Sequence, residues 1–198
     1  MGVEKNNEIT VKMNGTFNKV IELLVNKGFE ITDKFSLEDI YLIPKDMNIK
    51  ESSVREILKE AIIIRNVGRC KVLVFKKKNI DKLGNIISQE KIECDILNID
   101  DARRFIEAIG YKEIMEIAED DVCYSKDGLG LVLKNVRNGD NLIEVETIDE
   151  DGLRTIEDLK EKMLELKLPI DTSDFFVKKA EVELEKVINK YKNKAGTL

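Results

Sequence analysis

The segment Leu129–Asp149 constrains the fold more than any other part of the chain, because it reads as a complete β-hairpin. Two strand-like runs, Leu129–Leu133 and Leu142–Thr147, flank the turn-prone sequence Asn-Gly-Asp-Asn at positions 138–141. A hairpin pairs consecutive strands in antiparallel order. The segment therefore favours an antiparallel sheet.

The second run of this hairpin separates its side chains onto two faces. Ile143 and Val145 point to one side of the strand, and Glu144 and Glu146 point to the other. The two carboxylates then lie about 7 Å apart along one face, where they could share a divalent cation. A half-buried strand whose polar face meets water explains the same pattern, and this segment alone does not separate the two interpretations.

Similar alternation recurs along the chain and predicts about eight strands, mostly joined as hairpins. Eight antiparallel strands are enough to close a barrel. We therefore predict an α+β fold, an eight-stranded antiparallel β-barrel or tunnel with surrounding helices, in a single domain over residues 1–198. The other predicted strands are Glu8–Lys12, Phe29–Pro44, Ala61–Val67, Cys70–Lys77, Asn85–Leu97 and Tyr111–Tyr124, and the predicted helices are Phe17–Asn26, a short helix from Ser53 through Glu60, a helix capped by Asp100 or Asp101, Leu153–Leu168 and Asp174–Lys192.

Several of these strands carry charges of both signs on one face. In a sandwich that face would meet solvent. In a barrel wrapped by helices, the apolar face packs outward against the helices and the charged face lines a wet interior. Periodicity alone does not distinguish the two arrangements.

The complete absence of histidine restricts the chemistry. It excludes histidine-based acid–base catalysis, Ser-His and Cys-His nucleophile pairs, and imidazole-bound zinc. Cys70, Cys94 and Cys123 lack the close spacing of zinc ligands and read as reduced structural thiols. Any metal must therefore bind mostly to carboxylates, which favours Mg²⁺ or Mn²⁺ over zinc.

The net charge of −6 argues against binding to nucleic acid through a broadly basic surface. No apolar run reaches the roughly 20 residues of a membrane span. The N-terminal sequence also lacks the apolar region of a signal peptide. We therefore predict a cytoplasmic protein with neither a nucleic-acid nor a membrane partner.

The charged positions follow one another along the strands in a recognisable order. An ExExK-type strand at 8–12 comes first, then a strand with Arg65 near its end, a strand closed by Lys76, an acidic strand at 90–95, and a terminal ExE at 144–146. This ordered set covers nearly three quarters of the chain. It resembles the CYTH superfamily, the triphosphate tunnel metalloenzymes, which includes class IV adenylate cyclases and thiamine or inorganic triphosphatases.

The resemblance implies an eight-stranded tunnel that holds a triphosphate. Basic side chains of one wall would clamp the phosphates, and glutamates of the other would hold Mg²⁺ or Mn²⁺. It assigns substrate-binding and catalytic roles to Lys12, Arg65 and Lys76, and metal-ligand roles to Glu8, Glu93, Glu144 and Glu146, with Glu90 on the same acidic strand as Glu93.

The chain departs from the family pattern at several positions of the site. Thr10 stands in place of a glutamate and Ile63 in place of an arginine. Glu119 and Asp121 replace a lysine and an arginine, and Lys134 replaces an aspartate. Because the last swap is reciprocal in sign, we predict that Lys134 pairs with Glu119 or Asp121 across neighbouring strands.

Two functions follow from the resemblance and its departures. The first is metal-dependent hydrolysis or cyclisation of a small triphosphate or nucleotide, as in an adenylate cyclase or a triphosphatase. The second is a binding protein with the same fold that has lost turnover. The C-terminal helices from about residue 153 suit the resemblance, and the sequence leaves a homodimer open.

Overall fold

A computed structural model describes residues 8–80, 86–147 and 155–195, with the side chains of 77–80, 86–90, 146–147 and 194–195 outside the description. The side chains of the predicted ligand Glu146 and of Glu90 on the acidic strand therefore lie outside the description. The predicted helix start at Leu153 also lies outside the described residues. The described part forms eight strands and five helices. The strands are β1 (Glu8–Lys12), β2 (Glu30–Pro44), β3 (Ile62–Val67), β4 (Cys70–Ile80), β5 (Ile86–Asp95), β6 (Tyr111–Lys126), β7 (Leu129–Val136) and β8 (Asn141–Thr147), and the helices are α1 (Phe17–Asn26), α2 (Val54–Lys59), α3 (Ile99–Ala108), α4 (Ile156–Glu165) and α5 (Lys179–Ala195).

Local capping explains where the helices begin. Ser53 and Glu56 form the predicted capping box at α2, and Thr155 with Asp158 forms a second one at α4. The cap of α3 is Asn98, whose side chain accepts from two backbone N–H groups, so the prediction of Asp100 or Asp101 was wrong. Both aspartates lie in the first turn instead, where their charge favours the helix N-terminus.

The strands join in the hydrogen-bonded order β1-β8-β7-β6-β2-β3-β4-β5. The described ladders β1–β8, β2–β3, β3–β4, β4–β5, β6–β7 and β7–β8 are all antiparallel. The prediction of an eight-stranded antiparallel, tunnel-like α+β fold is confirmed. Among the described residues, hydrogen bonding does not join the end strands β1 and β5, so the sheet is not closed by a ladder between them.

The chain divides into two compact units, each described here by itself. The first unit comprises residues 37–118 and 179–195, and the second comprises 8–36 and 119–178, in their described parts. In the first unit, Ile106 of α3 packs with Ile64 of β3 and with Ile40 and Leu42 of β2, all less than 9% exposed. In this way α3 covers one face of these strands.

The second unit buries a larger apolar cluster. One face of β1, β7 and β8 packs against α1 and α4, because alternate residues of these strands are apolar. The charged residues between them consequently face away from the helices. The buried members include Ile9 and Val11 of β1, Val20 and Leu24 of α1, Leu131 and Leu133 of β7, Ile143 and Val145 of β8, and Leu159 and Met163 of α4.

Segment 169–178 was predicted to enter a helix at Asp174, but α5 begins only at Lys179. The segment instead bonds along the outer edge of β1: Thr10 N–H donates to the Phe175 carbonyl at 3.0 Å, and Val177 N–H donates to the Thr10 carbonyl at 3.0 Å. These bonds satisfy edge groups of β1 that a helix would leave without partners.

None of the described helices has the length and apolarity needed to cross a membrane.

We expect Leu131→Ala to lower the free energy of unfolding by about 2–5 kcal/mol, because Leu131 is fully buried and its loss leaves a cavity. Leu164→Ala is the matched control, since Leu164 of α4 is 51% exposed in the same unit. Chemical denaturation of both variants measures the difference. Equal losses in the two variants would contradict the described core.

Candidate functional site

One group of candidate residues, in the second unit, lies on the polar face shared by β1 and β8. The register places Glu8 opposite Glu146 and Thr10 opposite Glu144. Directly opposed residues of an antiparallel pair share a face. Because Ile9 and Val145 lie in the core, Glu8, Thr10 and Glu144 lie on the face turned away from α1 and α4.

Glu144 of this face forms an ion pair with Lys134 of β7. The Nζ atom of Lys134 lies 2.9 Å from Oε2 of Glu144, and the two side chains are only 18% and 19% exposed. The Thr10 hydroxyl also reaches the same oxygen, at 3.5 Å, the outer limit of a hydrogen bond. One carboxylate oxygen thus connects three neighbouring strands.

Two further carboxylates of β6 lie on the same face as Lys134. Asp121 is directly opposite Lys134 in the β6–β7 ladder. Glu119 is two residues away and therefore on the same face. Both are buried, at 1% exposure for Glu119 and 3% for Asp121.

The charges of this cluster act on the pKa of Lys134. Burial by itself would lower that pKa, but the charge and hydrogen bond of Glu144, followed by the charges of Glu119 and Asp121, raise it above its ordinary value of 10.5. The ion pair of Lys134 is formed with Glu144, which the sequence analysis did not pair with it. The predicted ion pair of Lys134 with Glu119 or Asp121 is not among the described ones, and these two carboxylates act on Lys134 through their charge.

Lys12, the predicted phosphate-binding lysine of β1, forms an ion pair in the hairpin turn. Its Nζ atom lies 2.9 Å from Oδ1 of Asp140, and the side chains are 44% and 34% exposed. Exposed pairs of this kind are weak, typically below about 1 kcal/mol. Lys12 can therefore exchange Asp140 for another anion at little cost.

A separate group of candidate residues lies in the first unit. Arg65 of β3 is directly opposite Asp39 of β2. Its Nε and Nη2 atoms donate to Oδ1 and Oδ2 of Asp39, each at 2.7 Å. Asp39 is fully buried, whereas the Arg65 side chain is 19% exposed. Such a bidentate pair holds the guanidinium in one orientation.

Asp39 is a residue to which the sequence analysis gave no role. Its position in the sequence could have indicated a role, because Asp39 and Tyr41 fall on the same face of β2. Ile63, which stands where the family carries an arginine, is opposite Tyr41, and both are buried. An arginine side chain in place of Ile63 would enter an apolar environment.

Lys76 and Glu93 lie on the remaining strands of the first unit. Lys76 of β4 is half-buried and is opposite Lys91 of β5. Glu93 pairs with Lys91, with 2.6 Å between Oε1 and Nζ, and its side chain is 42% exposed. The metal-ligand role of Glu93 stays a prediction.

Comparisons with known proteins agree with this architecture. No protein-family model matches the chain. A curated protein of Methanocaldococcus jannaschii is 28% identical over 177 residues, which cover 89% of this chain and 96% of the relative. A solved structure from Vibrio parahaemolyticus superposes with a TM-score of 0.62 at 11% identity, covering 91% of this chain and 97% of that one. A second solved structure, from Hippeastrum, superposes with a TM-score of 0.56 at 15% identity, covering 94% of this chain and 96% of that one.

All three relatives are named as putative adenylate cyclases, and the Hippeastrum protein is described as having a dominant triphosphatase activity. The chain has the CYTH-like fold. The fold that the resemblance implied is thereby confirmed.

Within this CYTH-like fold, the second unit brings together Glu8 and Lys12 of β1 with Glu144 of β8. Thr10 lies between the two β1 residues and is directly opposite Glu144. Arg65, Lys76 and Glu93 belong to the first unit. The roles of all six charged residues, and of Glu146, stay predictions.

The donor chemistry of the second unit fits a hard divalent cation. Glu8 and Glu144 supply carboxylate oxygens on adjacent strands, as Mg²⁺ and Mn²⁺ prefer. Among the described side chains, no three carboxylates or thiols are grouped closely enough to hold a metal. A metal at Glu144 would therefore depend on Glu146, on water or on substrate oxygens for further ligands.

The polar face of β1, β6, β7 and β8 carries more acidic than basic side chains. An anion as highly charged as a triphosphate would be repelled there unless a cation enters with it. The described charged members of this face in the second unit are two lysines, Lys12 and Lys134, and four carboxylates, Glu8, Glu119, Asp121 and Glu144.

We expect Asp39→Asn to lower the free energy of unfolding by about 3 kcal/mol, because it leaves the Arg65 charge largely buried with a neutral partner. Glu165→Gln is the control, since its exposed pair with Lys162 should be worth less than about 1 kcal/mol. Urea denaturation compares the two. A loss below about 1 kcal/mol for Asp39→Asn would contradict a structural role for the pair.

The raised pKa of Lys134 predicts a loss of stability in strong alkali. A group whose pKa is raised on folding stabilises fully below its unfolded value, here 10.5, and loses that contribution as the pH rises through the folded value. Lys134→Arg keeps its charge at high pH. Between about pH 9 and pH 12, wild type should therefore lose stability relative to Lys134→Arg in chemical unfolding. Parallel pH profiles would argue against the coupling.

Proposed function

We propose that this protein processes a small triphosphate or nucleotide, by hydrolysis or cyclisation, with the help of Mg²⁺ or Mn²⁺. The observation that carries the proposal is the polar face of β1 and β8 in a CYTH-like fold, where Glu8, Lys12 and Glu144 lie on paired strands. The relative with a described triphosphatase activity supports the same class of substrate. The activity would take place in the cytoplasm.

In this proposal, Glu144 and Glu8, with Glu146, hold the metal. The bound metal would polarise the phosphoryl group and offset its charge during attack by water or by a ribose hydroxyl. Glu93 of the first unit is the remaining proposed ligand. In this proposal the role of the carboxylates is to hold the cation.

The basic residues would bind and orient the phosphates. Lys12 is the most readily available of them, because its only described ion pair is the half-exposed contact with Asp140. Arg65 would contribute its guanidinium, which the bidentate pair with Asp39 holds in one orientation. Lys76 would add a third positive charge from β4.

A second function, binding without turnover, is favoured by the state of Arg65. Its guanidinium is neutralised by the buried carboxylate of Asp39, and Ile63 supplies no second cation on β3. Glu119 and Asp121 add negative charge to the wall. A chain with this balance would bind a less anionic ligand, or a metal-bound one, without stabilising a transferring phosphoryl group.

The test is an assay of the purified protein with Mg²⁺ or Mn²⁺ and a panel of ATP, inorganic triphosphate and thiamine triphosphate. Release of phosphate, pyrophosphate or cyclic nucleotide would support the first function. Binding of any of these by calorimetry without product would support the second. Neither product nor binding with any compound of the panel would contradict both.

We expect Glu144→Gln to reduce metal-dependent turnover on the order of 100-fold, because it removes a metal-binding carboxylate while keeping the side-chain shape. Glu165→Gln, an exposed carboxylate of α4, should leave the rate unchanged. Initial rates with saturating Mn²⁺ compare the two variants. Full activity in Glu144→Gln would exclude Glu144 from the metal site.

A further inference from the structure

The cation that Glu144 holds in this structure is the ammonium group of Lys134. The Nζ atom lies 2.9 Å from the carboxylate oxygen, and the charges of Glu144, Glu119 and Asp121 all act on it. Asp121 of β6 lies directly opposite Lys134, and Glu119 lies two residues before Asp121 on the same face of β6. A lysine therefore stands among three carboxylates.

The burial of these groups strengthens the repulsion between Lys134 and any second cation. Glu119 and Asp121 are almost fully buried, and Lys134 and Glu144 are less than one fifth exposed. Charges in such a site are poorly screened by water, so a second cation would be strongly repelled by the ammonium group. A divalent ion bound at Glu144 would compete with the Lys134 ammonium group for the same carboxylate.

We propose that Lys134 is an internal competitor for the metal site and sets its affinity for divalent cations. A divalent ion binds at Glu144 only by displacing the ammonium group from Oε2. Displacement separates Lys134 from its hydrogen-bonded partner, and this cost lowers the affinity of the wild-type protein for free metal. The inference rests on the proposed metal role of Glu144, and it makes no use of turnover.

The ion pair is distinct from the other lysine–carboxylate pairs of the second unit. Lys12 with Asp140 and Lys162 with Glu165 are at similar distances, but their side chains are between 34% and 64% exposed. Solvent screens those charges, and Lys162 lies on α4 away from the polar face, so removing Lys162 should matter little to a cation bound at Glu144. Lys162 thus offers a matched control that changes net charge by the same amount.

The experiment is calorimetric titration of Mn²⁺ alone into wild type, Lys134→Met, Lys134→Arg and Lys162→Met. We expect Lys134→Met to bind Mn²⁺ about tenfold or more tightly than wild type, because it removes a like charge beside the metal. Lys134→Arg and Lys162→Met should bind within about threefold of wild type. Unchanged affinity in Lys134→Met, or an equal gain in Lys162→Met, would overturn the proposal.

Two further variants keep the test decisive. The gain should disappear in Lys134→Met/Glu144→Gln, and a gain that persists there would place the metal elsewhere and overturn the proposal. If Lys134→Met does not fold, as judged by circular dichroism, the same comparison is made between Asp121→Asn and Lys134→Met/Asp121→Asn. The double variant removes one charge of each sign, and it should bind Mn²⁺ about tenfold more tightly than Asp121→Asn alone.

These outcomes are independent of the proposed enzymatic activity. A protein that binds Mn²⁺ more tightly as Lys134→Met but turns over no triphosphate supports this inference and contradicts only the enzymatic function. An active triphosphatase whose Mn²⁺ affinity is unaffected by Lys134→Met overturns this inference alone.

Discussion

The separation of side chains onto two faces of paired strands is the constraint on which the second unit depends. Ile9, Val11, Ile143 and Val145 must lie together to bury their apolar surface against α1 and α4. The same antiparallel register then forces Thr10 and the carboxylate of Glu144 onto the opposite face. A slip of one residue would expose the apolar set and bury the charges, so packing energy fixes the polar face as firmly as the core.

Three of the described basic side chains are each paired with a carboxylate of their own unit. Arg65 is held by Asp39, Lys134 by Glu144 and Lys12 by Asp140. Buried ion pairs add little net stability, because desolvation offsets much of their attraction, but removing one partner is costly. This balance explains how a wall with reversed charges can fold. It also means that any highly charged ligand must compete with internal partners, most easily at the exposed Lys12 pair.

Much of the fold could be predicted because its signals are local. The bounds of α1, the capping box of Ser53 and the hairpin around Gly139 depend on neighbouring residues, and the structure reproduces them. Segment 169–178 was harder, since Asp174 is an acceptable helix residue. Its backbone instead bonds to β1, a strand more than 150 positions earlier in the chain. Long-range hydrogen bonding outweighed local propensity there.

By itself, the sequence determined the strand count, the antiparallel order and the division of each strand into apolar and charged faces, because alternation and turn residues act over a few positions. It also limited any metal to carboxylate ligands, since the chain has no histidine. Only the tertiary structure decided that Asp39 neutralises Arg65, and that Lys134 turns to Glu144 as its ion-pair partner. Those choices depend on side-chain reach and burial between strands, where the attraction between two charges varies steeply with distance and exposure to water.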